Sequence, residues 1–120
     1  MVWLYVGIAL HTAGSVPFIA ALATNPFLET TVRIQNDRGH FVIVSGPYAV
    51  VRHPMYAGLS AMYPAWALII GSRWALIPAA AIVLLFMFRA VKEERVLRRE
   101  LPGYEEYAAV TRYRFLPGVW

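Results

Sequence analysis

Three stretches of this chain carry no Asp, Glu, Lys or Arg: Met1–Leu28, Pro54–Ser72 and Trp74–Phe88. Uncharged runs of this length are the strongest constraint on the fold. A helix needs roughly 20 predominantly apolar residues to cross a hydrocarbon core, and only helices or closed barrels satisfy their backbone polar groups there. The runs therefore predict three transmembrane helices, at about 2–23, 54–71 and 74–91. The last two form a helical hairpin (54–101, with its charged extension) closed by Gly71-Ser72-Arg73. For the first run a cleaved signal peptide is the competing reading. No basic residue precedes the apolar segment, so a span is favoured. Pro17 is expected to kink this helix and Asn25-Pro26 to end it.

The overall balance agrees. The chain is 59% hydrophobic and 15% charged, against about 25% charged in ordinary soluble domains. Cysteine is absent, which removes disulfides, a thiolate nucleophile and Cys-based zinc sites, and no metal centre is expected. Ten of the eleven basic residues fall in two segments, 24–53 and 92–120 or their immediate borders; only Arg73 falls at the opposite helix ends. The positive-inside rule then puts both segments in the cytoplasm and the N-terminus outside. Acidic residues interleave with the basic ones, which argues for a membrane surface and against nucleic acid. Residues 1–120 read as a single all-α integral membrane domain, multi-pass, with the lipid bilayer as its partner.

Between the first two spans, Thr31-Val32-Arg33-Ile34-Gln35 alternates, Asn36-Asp37-Arg38-Gly39 reads as a turn, and His40-Phe41-Val42-Ile43-Val44 follows. A short surface hairpin over 31–44 is expected. His11, inside the first run, is expected to pair with a neighbouring helix, the alternative being a substrate-facing polar group.

The polar residues concentrate at one end of the spans. Gly46–Gly58 packs two prolines, two tyrosines, an arginine and a histidine against the start of the second span. Pro54 suits the first turn of a helix, which places His53 at its mouth, where free N–H groups attract anions. On a helix over Arg89–Leu101, residues Ala90, Glu94, Leu97 and Leu101 share a face, so Glu94 interrupts an apolar stripe and needs a partner or a ligand. Ordinary surface pairs, Arg89–Glu93 and Glu94–Arg98, are the bland alternative, at about 0.2–0.5 kcal/mol each. Pro102-Gly103 should stop this helix.

Gly46-Pro47-Tyr48, Arg52-His53-Pro54-Met55-Tyr56-Ala57-Gly58, Arg89 with Glu93-Glu94, and Gly103-Tyr104 through Tyr107, Arg114 and Pro117 together resemble the isoprenylcysteine carboxyl methyltransferase family, which belongs with the membrane phospholipid methyltransferases. The resemblance covers roughly Val32–Trp120. It implies an integral-membrane, S-adenosylmethionine-dependent methyltransferase without a Rossmann domain, its cofactor pocket facing the cytosol and its lipophilic acceptor arriving from the bilayer. It maps Tyr48, Arg52, His53, Pro54, Tyr56, Gly58, Glu93, Glu94, Leu101, Tyr104, Tyr107 and Arg114 to the cofactor pocket. Two departures accompany it. Ser60 stands where phospholipid-methylating relatives often carry a second glycine, and the chain is short, so a minimal member, a truncated relative or a homo-oligomer that completes its site are all expectations.

Methyl transfer from a sulfonium is an in-line displacement that needs alignment above all. Glutamates can hold the cofactor's amino group or ribose hydroxyls, and Arg52 or the helix start its carboxylate. Tyr104 and Tyr107 can cover the adenine. For a carboxylate acceptor, Arg89 is the expected catalytic cation; for a thiol or amine, Glu94 is the expected base. The reading set against these is a non-catalytic membrane subunit or scaffold that keeps the pocket, with a transporter or sensor behind it.

Overall fold

The computed structural model describes all residues 1–120. Four α-helices form: α1 (Val2–Thr24), α2 (Pro54–Ile70), α3 (Leu76–Glu100) and α4 (Tyr104–Val110). Helix α1 and the stretch Arg73–Glu100 are each long and apolar enough to cross a membrane. Helix α2 has 17 residues, about 26 Å at 1.5 Å per residue, the short end of a spanning length.

Local chemistry sets the helix ends. Asn25 ends α1, its Oδ1 accepting the Phe27 N–H at 2.9 Å. The helix runs unbroken through Pro17. Helix α2 starts with Pro54 directly after His53, and ends where Gly71 turns left-handed (φ 77°). There the Gly71 and Ser72 N–H groups return to the Ala67 and Leu68 carbonyls, freeing the chain to reverse. A short 3₁₀ turn, Arg73–Ala75, follows, capped by Ser72 Oγ accepting the Ala75 N–H, and leads into α3. Leu101 and the left-handed Gly103 (φ 87°) separate α3 from α4.

Helix α2 lies between α1 and α3, antiparallel to both. Its α1 face is built for close approach. Gly7, Gly14 and Ala21, spaced by seven, are the buried residues of α1. Gly7 meets Ala65 and Ile69, and Gly14 meets Gly58. A Cβ on Gly58 would come within 2.4 Å of the Gly14 carbonyl oxygen, so two backbones touch where a side chain would hold them apart. The opposite face of α2 turns its aromatic rings to α3: Tyr56 and Tyr63 both pack on Phe86, at 5.5 and 6.0 Å between centroids. His11 accepts the Trp66 Nε1–H at 3.1 Å, so its partner is on the neighbouring helix. Antiparallel packing brings the C-terminal end of α1, the N-terminal end of α2 and the C-terminal end of α3 to one end of the molecule, the end that holds the polar segments.

The hairpin expected over 31–44 does not form; the chain contains no strand. The turn itself is present, as a 3₁₀ turn over Asn36–Arg38 closed by the left-handed Gly39. Backbone bonding between the two arms stops there, at Arg38 and His40 returning to the Gln35 carbonyl. Beyond it the arms part. Ile34, Val42 and Ile43 pack, with Leu28, against a buried cluster of Tyr48, Leu101, Tyr104 and Tyr107, and the Gln35 side chain takes over the binding of the Phe27 carbonyl. Alternation reports one buried face, and here the burial is supplied by α3, α4 and Tyr48, with no partner strand needed.

Candidate functional site

The Arg52-His53 dipeptide is fastened to the C-terminal segment: the Arg52 N–H donates to the Tyr113 carbonyl and the His53 N–H to the Arg114 carbonyl, each at 2.9 Å. Both side chains then turn onto Glu94, 2% exposed. Arg52 Nε donates to Oε1 at 2.7 Å and Nη2 to Oε2 at 3.2 Å. His53 Nε2 donates to Oε1 at 3.0 Å and Arg114 Nε to Oε2 at 3.1 Å. Arg52 Nη1 reaches past the carboxylate to the carbonyls of Thr111 and Arg112. Burial disfavours the Glu94 charge, but the hydrogen bonds from His53 and Arg52 outweigh it and hold the carboxyl at about 2. Glu94 thus joins three segments that are far apart in sequence. The shared face of Ala90, Glu94, Leu97 and Leu101 is the buried face of α3's charged end. The surface pairs Arg89–Glu93 and Glu94–Arg98 are replaced: Arg98 pairs with Glu105 on α4.

Glu93, one residue earlier, points the other way. The Tyr56 hydroxyl donates to its Oε2 at 2.8 Å and itself accepts from Arg89 Nε at 2.8 Å. Arg89 Nη2 donates to the Thr30 carbonyl, tying α3 to the loop after α1. Tyr56 and Glu93 line a partly open cavity of about 70 Å³ at the polar end of the molecule. Of the residues predicted for the cofactor pocket, Tyr48, Arg52, His53, Tyr56, Glu93, Leu101, Tyr104 and Tyr107 line it. Pro54, Gly58, Glu94 and Arg114 stand behind the wall: Pro54 and Gly58 set the start and the packing of α2, and Glu94 and Arg114 fasten Arg52 and His53. Arg89 reaches the wall through Tyr56.

The tyrosines are tied into that wall unequally. Tyr48 accepts from Asn25 Nδ2 at 3.0 Å, and its carbonyl accepts the Tyr107 hydroxyl at 2.6 Å. Burial pushes the Tyr48 hydroxyl up to about 12 and those of Tyr104 and Tyr107 higher still, so all three are neutral donors at neutral pH. The Tyr104 hydroxyl is buried with no partner at all, a cost of about 1–3 kcal/mol unless a ligand meets it.

The segment missed by sequence reasoning is the outer wall. Phe27, Glu29, Arg33, His40, Val42 and Ile43 all line the cavity. Gln35, 1% exposed, is its hidden support, binding the Phe27 carbonyl at 2.6 Å and Arg38 Nη1 at 2.6 Å. The one signal available was a glutamine and a histidine at matching positions either side of a glycine turn, which local pattern reads as solvent-facing.

A family model of phospholipid methyltransferases matches residues 1–102. No curated protein and no solved structure matches the chain significantly. With most of its length covered by that match, and two helices fit to cross a bilayer, the chain belongs to the phospholipid methyltransferase family, a family of membrane methyltransferases.

Proposed function

We propose that the protein transfers a methyl group from S-adenosylmethionine to a lipophilic, membrane-associated acceptor, with the cavity open to the cytoplasm and three spans, α1, α2 and α3, in the bilayer. The observation that carries this reading is the donor set of the cavity. A carboxylate (Glu93), an unpartnered buried hydroxyl (Tyr104) and an apolar and aromatic wall (Tyr48, Leu101, Tyr107) converge on one space. That set suits a ligand with an amino group, hydroxyls and a flat ring, and S-adenosylmethionine has all three.

When bound, the cofactor supplies an electrophilic methyl on a sulfonium, and the reaction then depends on alignment. Glu93 holds an ammonium or ribose hydroxyl, and Tyr56 fixes the carboxylate's orientation. Tyr104 donates its free hydroxyl, and Tyr48 and Tyr107 exclude water from the ring. Arg52 and His53 border the cavity while their polar atoms remain on Glu94. Arg89 spends Nε on Tyr56 and Nη2 on Thr30, which leaves Nη1 to hold a carboxylate acceptor. Glu94 acts as the organiser: a carboxylate held at about 2 by its hydrogen bonds from His53 and Arg52 is a poor base.

Calorimetry of the protein in nanodiscs with S-adenosylhomocysteine tests the cofactor reading, and absence of binding overturns it. Labelled S-adenosylmethionine with a membrane extract tests turnover. Binding without any labelled lipophilic product would instead support the non-catalytic subunit.

A further inference from the structure

The stretch Phe115-Leu116-Pro117-Gly118-Val119-Trp120 carries no charge and folds back on itself as a hook. The N–H groups of Arg114, Phe115 and Leu116 all donate to the Trp120 carbonyl, and those of Val119 and Trp120 donate to the Leu116 carbonyl. Pro117 has no N–H, and Gly118 makes the bend in the left-handed region (φ 79°). Apart from Gly118, every backbone donor from Arg114 to Trp120 is therefore used inside the hook. That economy matters where water is scarce, because unpaired backbone donors are costly there. The side chains at the bend are apolar and bare: Leu116 is 58% exposed and Val119 74%.

The hook lies against the ends of two spans. Phe115 is buried in one cluster with Tyr56 and Ala90, on which Phe86, Met87 and Trp120 also pack. The Trp120 ring meets Phe115 edge-on at 5.1 Å and lies under the Arg114 guanidinium at 4.9 Å. On α3 the membrane boundary is marked by Lys92, whose Nζ turns back over the exposed Phe88 ring at 5.3 Å, with its stem along apolar surface and its charge at the edge. Ala90 falls between those two residues, so the hook stands level with the boundary. Lys92, Arg95 and Arg112 form no ion pair within the protein, which leaves unmatched positive charge beside the bare apolar bend. A surface that joins apolar side chains to free cations at this level suits a phospholipid leaflet.

We propose that residues 115–120 are a lipid-binding surface: Leu116 and Val119 enter the acyl boundary of the cytoplasmic leaflet, and Arg112 pairs with lipid phosphates. This rests on the reading of α2 and α3 as spans and adds a lipid contact to a segment whose sequence reads as cytosolic. The seat reaches the candidate site, since Arg114 binds Glu94 and Phe115 packs against His53 and Tyr56, each at 6.4 Å between centroids. Lipid thereby braces the segment that holds Arg52 and His53 in place.

The chain has no cysteine, so single-cysteine variants can each carry one nitroxide label. The full chain in phospholipid nanodiscs is labelled in turn as Leu116→Cys, Val119→Cys, Leu84→Cys on the exposed face of α3, and Glu106→Cys on the exposed face of α4. Power-saturation spectroscopy reads collisions with oxygen, which concentrates in lipid, and with a water-soluble nickel chelate. Leu84→Cys supplies the lipid reference and Glu106→Cys the water reference. The oxygen-to-nickel ratio at Leu116→Cys and Val119→Cys is expected to lie closer to that of Leu84→Cys, and a ratio matching Glu106→Cys at both positions overturns the proposal. Adding Arg112→Glu to Val119→Cys is expected to shift its ratio towards water, and an unchanged ratio overturns the phosphate pairing. If Leu84→Cys itself reads as water-exposed, the span reading fails first and this assignment falls with it.

Discussion

Adjacent glutamates at the end of α3 have opposite fates because consecutive helical residues are about 100° apart. Glu94 turns into the protein and Glu93 into the cavity. A buried carboxylate bound by Arg52, Arg114 and His53 is stable only as a set: removing the carboxylate leaves buried guanidinium charge uncompensated, at about 3–5 kcal/mol. Glu94→Ala should therefore lower stability by that order and loosen the C-terminal segment that Arg52 holds, read by thermal melting and by proteolysis after Arg112. Glu93→Gln should leave the melt near wild type and weaken S-adenosylhomocysteine binding; equal melting losses in both variants would refute the division of labour. The same set predicts a pH response. The Glu94 carboxyl is depressed from its ordinary 4.5 to about 2, so the native state binds fewer protons than the unfolded chain between those values. Its stabilisation is full above about pH 4.5 and is lost as pH falls towards 2. Glu94→Gln should flatten that part of the stability profile, measured from acid unfolding curves in detergent.

At the level of elements, the α1–α2 contact fixes where the site begins. Gly58 is one turn beyond Pro54, and its missing side chain is what lets the Gly14 backbone approach. The atoms that an added Cβ would strike include backbone atoms of α1, which cannot swing aside as a flexible side chain can. Gly58→Ala is expected to destabilise by about 1–3 kcal/mol through overpacking. It should also reduce cofactor affinity although Gly58 does not line the cavity, because α2 carries His53 and Tyr56 at its start. A melt unchanged from wild type would show that α1 and α2 separate freely there. The loop 25–43 teaches a different lesson. Its alternation was real, and the turn at Asn36–Gly39 was readable from residue type alone. What local pattern could not supply was the identity of the burying surface, because tyrosines more than 60 residues further along do the burying.

For the whole molecule, the charge distribution predicts orientation. Arg73 stands at one end of the helix pair α2–α3, and the other basic residues gather at the end that holds the cavity. A reporter fused after Trp120 should read as cytoplasmic, and an extracytoplasmic signal would overturn the topology.

The sequence by itself determined the uncharged helices, their ends at Asn25, Gly71 and Pro102-Gly103, and the gathering of polar segments at one end. Each of these follows from interactions within a few residues or from the cost of charge in lipid, so composition and spacing carry them. It also brought eight of the 22 residues that line the cavity into view. The tertiary structure alone decided which glutamate faces the cavity, that Arg52 and His53 are bound to Glu94, and that residues 25–43 form the outer wall. Those outcomes depend on contacts between segments 40 to 60 residues apart, whose geometry exists only once α1 and α2 have closed on their glycines and the end of α3 has met the C-terminal segment.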